Sequence, residues 1–395
     1  AKTSTMAESL TIRNFGPIKE IEIPILRPLN VFVGPSGSGK STIMKVLAAF
    51  QWLYKMLCIR SYLKRSGVKR SPFRFRVEDL LKHNGLSGYM QPDTEIIYRN
   101  ESTELIYNRR SKLQGANTLV PPQEISLEKI AFISDKRMTI PNILSGMINI
   151  RHGLFYLEDT LENFMLAWDA IPSTEVDYLG VKFETKRTGA GRRIMVVPLS
   201  DDAKDYALPL HEASSGIQSV SAVHYIAEYF ARHYELVNSI NSSVLSYLSR
   251  SDSLSDFKTQ TNIGDFPRRR ITLHIEEPEL SLFPDNQTGL MEYLYRNFFS
   301  AEERPDHIAF QLNVATHSPY LVNHLNLMFK AAETRRPING ATLNFEDVNL
   351  FYLHSGVLND MRLLNAPIMN TDVLSNTIEN IYELYDALTE TSTVE

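Results

Sequence analysis

VFVGPSGSGKST, beginning at Val31, fits the pattern G-x-x-x-x-G-K-[ST] at Gly34, Gly39, Lys40 and Ser41. An apolar strand pattern precedes it and a helical pattern comes after it, which is the context this pattern needs to cradle phosphates. Glycines let backbone N–H groups turn inward toward phosphate oxygens, and the start of a helix favours an anion. Lys40 would reach terminal phosphates and the Ser41 hydroxyl would ligate Mg²⁺. The candidate cradle is Gly34, Pro35, Ser36, Gly37, Ser38, Gly39, Lys40 and Ser41, with Thr42 as an added phosphate contact. The bland alternative is a chance glycine-serine turn.

A second stretch complements the first. ITLHIEEPELSLFP alternates apolar residues at Ile271, Leu273 and Ile275, then ends in Glu276, Glu277, Pro278 and Glu279. Adjacent carboxylates at a strand tip repel each other unless a cation lies beside them. Glu276 is the candidate to hold Mg²⁺, and Glu277 the candidate general base that orients water against a terminal phosphate. Alternation would put the two on opposite faces, so a turn enforced by Pro278 is expected at the tip. A solvated acidic turn is the alternative.

These residues need elements to place them. Apolar-polar alternation predicts strands near 9–14, 19–24 and 29–33, and helical spacing runs from Lys40 to about Ser61. A loop-rich section to about 125 carries a hairpin at EIIYRN and ELIYNRR. Further on come a strand at 129–134, a helix at 154–168, a hairpin turning at Thr188–Gly191, and a helix over 216–230. Residues 249–267 are polar and aperiodic and read as a flexible loop. The last part alternates the ITLHI strand, a helix near 285–299, the strand HIAFQLNVAT, a helix from Ser318, a strand near 348–353 and a helix near 372–389.

Bulk properties set the frame. The 395 residues are 43% hydrophobic and 22% charged, enough for a sizeable core and unlike a disordered chain. A net charge of -5 confines any nucleic-acid contact to a local patch. One cysteine, Cys58, excludes an intrachain disulfide and a cysteine metal cluster. No apolar run approaches about 18 residues and the N-terminus lacks a signal-peptide layout, so no membrane contact and a cytoplasmic location are expected.

The motif order is P-loop, SSGIQS opening a helix, an apolar strand ending EEPE, and a strand ending THSP. It resembles the ABC-type ATPases of the SMC and OLD group. More narrowly, it is similar to the compact AAA-like ATPases of bacterial anti-phage systems such as Septu and PARIS. The resemblance implies an α/β P-loop NTPase of ABC-ATPase head type. Such a head has a mixed central sheet, an N-terminal antiparallel β layer and a short helical insertion in place of long coiled-coil arms. That implies a single head over 1–395, formed by N- and C-terminal lobes, with a helical or loop insertion at 51–170. It also implies ATP and Mg²⁺ as cofactors and ATP hydrolysis with Glu277, His317 and Lys40 as the catalytic set.

In such proteins a signature segment on one copy caps the nucleotide of another. Ser214, Ser215, Gly216 and Gln218 stand in that segment here, with Ile217 where many relatives have a second glycine. An ordinary serine helix cap is the alternative. The resemblance also implies a homodimer or higher homo-oligomer around ATP, and an inter-subunit turn at Leu280–Pro284, with Phe283 in a position where OLD relatives often have histidine. His317 stands at the switch-histidine position; His274 reads as a packed core histidine. The family's nucleotide-reporting glutamine has three candidates, Gln51, Gln91 and Gln123, and Asn14 and Phe15 stand where relatives approach base or ribose.

The stretch after the last strand is too short for the OLD-type Toprim nuclease, so a separate effector, a nuclease or toxin, is expected. Two competing roles are an ATP-stabilised scaffold or sensor with little turnover and a DNA-repair or maintenance ATPase. A transporter subunit fits the motifs poorly.

One stretch stands outside these motifs. RSYLKRSGVKRSPFRFR, from Arg60 to Arg76, carries seven basic residues interleaved with Tyr62, Phe73 and Phe75. It suits a DNA or RNA backbone with aromatics free for stacking, an acidic partner protein, or a solvated helix end whose aromatics pack inward. RRR at 268–270 reads as a solvated strand entry.

Overall fold

The structure is a computed structural model describing residues 7–69, 73, 75–149, 155–189, 191–200, 206–251, 253–258, 261–299, 307–363 and 365–392. The chain opens with the antiparallel strands β1 (Glu8–Phe15) and β2 (Ile18–Ile23), then β3 (Leu29–Val33) and helix α1 (Lys40–Arg65). A short helix α2 (Val77–His83) leads to β4 (Met90–Asn100), β5 (Thr103–Asn108), β6 (Lys112–Gln114) and β7 (Ser126–Ile133). Two helices come next, α3 (Ile140–Leu144) and α4 (Phe155–Ala170). Then come β8 (Ser173–Val176), β9 (Val181–Thr188), β10 (Gly191–Pro198) and β11 (Leu208–Pro209), which pair only with one another as a separate antiparallel sheet. Helices α5 (Ser215–Glu228) and α6 (Leu236–Arg250) precede β12 (Arg268–Glu276), α7 (Pro284–Phe298), β13 (Ala309–Thr316) and α8 (Pro319–Glu333). The described chain ends with β14 (Val348–His354), β15 (Val357–Asp360) and α9 (Asp372–Ser392).

The main sheet has 11 strands in the order β6-β5-β4-β1-β2-β15-β14-β3-β13-β12-β7. The run β14-β3-β13-β12-β7 is parallel throughout, while β6-β5-β4-β1-β2 is antiparallel. This is an α/β P-loop fold with a mixed central sheet. β3 is buried at all five positions, as a parallel strand covered on both faces must be. Leu29, Val31 and Val33 join Ile271, Leu273 and Ile275 in one core under α4, α5, α7 and α8. Phe32 and Ala315 face a second core built on α1, α6 and the antiparallel strands. Helix α1 is long and apolar enough to cross a membrane by length and composition alone, yet 72% of that apolar window is buried inside the protein.

Three expectations change. The stretch 51–170 is not a helical or loop insertion: it supplies β4 to β7, which extend the sheet at both edges. Its alternation, buried at Ile96, Tyr98, Leu105 and Tyr107, is the period-two pattern of half-buried strands. The strand entry at 268–270 is not simply solvated, because Arg270 is buried between Glu8 (2.6 Å) and Glu128 (3.0 Å). The basic stretch does not offer free aromatics: Tyr62 packs edge-on against Phe257 and Phe266, and Phe73 lies against Phe75 and Tyr247. Arg60 is buried over the Phe75 ring, whereas Lys64, Arg65, Lys69 and Arg76 are exposed; Arg70 and Arg74 lie outside the described residues. Within 249–267, Ile263 and Phe266 are buried and Lys258 N–H donates to the Ser66 carbonyl at 2.7 Å.

Candidate active site

Register brings the two motifs to one sheet edge. Val33, the last residue of β3, lies across from Thr316, the last of β13, and Ala315 lies across from Glu276, the last of β12. The loop after β3, the acids after β12 and His317 after β13 therefore emerge side by side. In open α/β sheets this carboxyl edge is where ligands bind.

The loop after β3 needs its glycines. A Cβ on Gly34 would lie 2.2 Å from the Leu353 carbonyl oxygen of β14, and Gly39, at φ 109°, would meet Pro17 of the β1–β2 turn at 3.1 Å. Neighbouring strands thus hem the loop in at both ends. The Lys40 ammonium donates to the carbonyls of Gly34 (2.7 Å) and Pro35 (3.0 Å), folded onto its own loop. Burial lowers its pKa, and the nearby carboxylates of Glu277 and Glu279 oppose that shift. Ser38 has a buried hydroxyl oxygen without a protein partner, as suits a loop shaped for a polar guest.

Glu276 is 3% exposed and faces α1, where its carboxylate lies 3.7 Å from the Lys45 ammonium and the Ser41 hydroxyl favours its charged form. Asp135 N–H also donates to it at 3.3 Å. Burial raises the Glu276 pKa, aided by the Asp135 charge and opposed by Lys45 and Ser41. The Ser41 hydroxyl and the Glu276 carboxylate, which influence each other electrostatically, fit the protein half of a Mg²⁺ shell, since that ion takes few protein ligands and completes its octahedron with phosphate and water. No group of three or more His, Cys, Asp or Glu among the described residues could hold a metal unaided.

The turn at the strand tip is made by Glu277 itself, at φ 45°, rather than by Pro278 alone. That left-handed residue breaks the alternation and carries its carboxylate to 3.5 Å from His317 Nε2, each side chain about one-third exposed (36% and 35%). His317 N–H donates to Glu279 Oε1 at 2.6 Å, so the third acid of the motif anchors the histidine's backbone.

Ser214 and Ser215 are exposed at the start of α5, where Ser214 takes the N-cap position without a side-chain cap hydrogen bond. Gly216 is buried against the Ser281 carbonyl oxygen, which would stand 2.8 Å from an added Cβ. The Gln218 amide donates to the carbonyls of Ala213 (2.7 Å) and His211 (3.1 Å), bracing its own turn rather than facing outward. Phe283 is 69% exposed just after the acidic tip.

Several candidates lie elsewhere. Gln51 is buried among Glu8, Gln311 and His274, which makes it part of a core network; His274 packs there as expected. Gln91 reaches the Gly16 carbonyl at 3.4 Å, and Gln123 sits exposed in a short turn before β7. Phe15 is fully buried against Tyr89 and does not face a base, while Asn14 donates to Asp93 at 2.8 Å in an exposed hydrogen bond. Lys45, Asp135 and Arg137 were not anticipated. In sequence, SDKRM resembles any charged turn, and only the pairing of β7 beside β12 brings it to the tip.

Residues 6–54 match the family model of the AAA ATPase domain, which spans the strand, the glycine loop and the first half of α1 and implies ATP binding. No curated protein is significantly similar to the chain. Among solved structures, the chain is similar to the SMC head domain from Thermotoga maritima (13% identity, TM-score 0.33, covering 90% of this chain and 97% of that one). It is similar as well to the recombination mediator protein RecF of the RecFOR pathway (11%, TM-score 0.34, 90% and 98%). A third is cbiO1 from Clostridium perfringens, part of the ABC transporter complex cbiONQ (12%, TM-score 0.30, 98% and 97%). Likeness at this level carries no residue roles; the AAA ATPase match at the N-terminal strand, loop and helix carries the nucleotide.

Proposed function

We propose that the chain hydrolyses Mg–ATP and works as a switch: two or more copies close head to head around the nucleotide and release after hydrolysis. The observation that carries this reading is the common edge of β3, β12 and β13, which places Lys40, Ser41, Glu276, Glu277 and His317 together. Phosphoryl transfer to water is mostly positioning and charge stabilisation. Lys40 would exchange its loop carbonyls for terminal phosphate oxygens. Ser41 and Glu276 would hold Mg²⁺, which neutralises developing phosphate charge when bound. Glu277 would orient the attacking water, with His317 beside it. The exposed Ser214 and Ser215, the tight seating of Gly216 and the exposed Phe283 suit a face that meets a second copy.

Phosphate release by wild type and Glu277→Gln tests the chemistry: a wild-type rate no higher than the variant's would leave only an ATP-stabilised scaffold. Mass measured with and without ATP tests assembly, and a Glu277→Gln chain that stays monomeric with ATP contradicts it.

The further role, control of a separate cytoplasmic effector or nucleic acid in anti-phage defence, rests on the motif order. Proteins that co-purify with the chain decide it. A nuclease or toxin supports it, and a long-armed DNA assembly opposes it.

A further inference from the structure

Arg137, in the turn after β7, has no exposed surface. A buried guanidinium must place its donors on fixed acceptors, and here all the acceptors are backbone carbonyls. Nε donates to Ser219 of α5 at 3.1 Å. Nη1 donates to Ser134 at 3.2 Å and to Glu276 at 2.6 Å, and Nη2 donates to Glu277 at 2.5 Å. Burial lowers its pKa to about 10, while the carboxylates of Glu279, Asp135, Glu277 and Glu276 pull the other way. It therefore stays charged at neutral pH. One planar fork thus spans the acidic strand tip and helix α5, which opens with Ser-Ser-Gly.

Glu277 needs such a brace. A non-glycine residue at φ 45° is strained and persists only where its surroundings over-determine it. Its N–H is held by the Ala315 carbonyl at 2.8 Å, while its own carbonyl accepts from Leu280 N–H at 3.0 Å and from Arg137. Without the Arg137 fork, the Glu277 carbonyl keeps only the Leu280 N–H of these two donors, and the left-handed turn that aims the carboxylate toward His317 is less firmly held.

We propose that Arg137 is the positioning residue that fixes Glu277 in its left-handed conformation and ties it to α5, so that the carboxylate is aimed only while α5 is docked. This rests on the reading of Glu277 as the group that orients water. Lysine keeps the charge but has no planar fork, so Arg137→Lys is the informative variant and Arg137→Gln a second.

The test uses the full chain and measures ATP turnover, Mg–ATP affinity and melting temperature for wild type, Arg137→Lys, Arg137→Gln, Glu277→Gln and the double variant Arg137→Lys/Glu277→Gln. The expected result is turnover lowered at least about tenfold with affinity kept within about threefold and nucleotide stoichiometry unchanged, since loss of folded protein would lower turnover and stoichiometry together. In the Glu277→Gln background the Arg137 substitution should add nothing. Turnover of Arg137→Lys within about twofold of wild type overturns the proposal, as do losses that multiply in the double variant. If Glu277→Gln itself leaves turnover intact, the reading of Glu277 fails and the proposal with it. Should neither Arg137 variant fold, hydrogen exchange on the wild-type chain decides. Mg–ATP should change protection in residues 277–282 and 215–223 together, and a change at the strand tip alone overturns the tie.

Discussion

Strand β12 carries charge at both ends, and the two ends treat it in opposite ways. At its start, Arg270 lies buried between Glu8 and Glu128, with Tyr98, Gln51 and Gln311 donating further hydrogen bonds to Glu8. At its end, the carboxylate of Glu276 has, among the described residues, Lys45 at 3.7 Å for a cation, while Arg137 gives its donors to carbonyls. The first cluster is bonded within the fold, its two carboxylates sharing one guanidinium. The second leaves carboxylates beside an anion-binding loop, an arrangement that an added cation completes. Buried acids bonded to one another's partners within the fold serve the fold; one that stands beside an anion-binding loop is a candidate place for a ligand.

Protonation obeys the same division. At the start, burial pushes the Glu8 pKa up, but Arg270 together with the hydrogen bonds from Tyr98 and Gln51 outweighs it, so Glu8 is held below its ordinary value. Glu128 shares the one guanidinium and is raised by burial, as expected when two carboxylates compete for one cation. At the end, burial raises Glu276 with no full counter-charge. The stability from Glu8 is thus present above the ordinary carboxylate pKa and lost as pH falls below it. The contribution of Glu276 has the reverse sign: it is present in acid and lost as pH rises through its elevated pKa.

Breaking the closed end should have the largest effect. Arg270→Ala leaves two buried acids without their cation and should cost about 3–5 kcal/mol of unfolding free energy, read by denaturant titration, with Mg–ATP affinity unchanged in the folded fraction. An equally large loss of nucleotide affinity would show that the ends are not separate. At the open end, Glu277→Gln should lower turnover about 10²–10⁴-fold while melting temperature stays within a few degrees, measured by phosphate release and calorimetry.

Glu276→Gln sharpens the contrast with a smaller effect. It removes an ill-compensated carboxylate, so it should leave stability unchanged or raise it by about 1 kcal/mol while weakening Mg²⁺-dependent nucleotide binding. In wild type, that Mg²⁺ dependence should strengthen as pH rises through the elevated Glu276 pKa, because the metal needs the ionised form; titration calorimetry at several pH values checks it, and a flat profile in wild type would count against Glu276. The smallest effect belongs to Phe283→Ser. Its ring is already exposed, so melting temperature should not move, while ATP-linked assembly weakens about tenfold, about 1.4 kcal/mol, in sedimentation.

The two ends also differ in how legible they are. The open end is written in short contiguous motifs: a glycine loop, an EEPE tip and a THSP turn each show their chemistry within about a dozen residues. The closed end is assembled from Glu8, Glu128 and Arg270, brought together only by strand order, and in sequence Arg270 looks like one of three solvated arginines. Arg137 is hidden for the same reason. Gln51 looks like a candidate nucleotide sensor because it lies downstream of the glycine loop, but the helix turns it toward the opposite end of the sheet. β4 to β6 read as loop-rich because polar turns crowd their alternation, although one hairpin is visible in it.

The central claim is that the glycine loop and the paired acids grip one magnesium triphosphate. Equilibrium binding of ATP to wild type and Lys40→Ala, each with and without Mg²⁺, tests it most directly. Wild type should bind ATP in a magnesium-dependent way and Lys40→Ala should lose that binding while keeping its melting temperature; affinity indifferent to magnesium, or undiminished in Lys40→Ala, would contradict it.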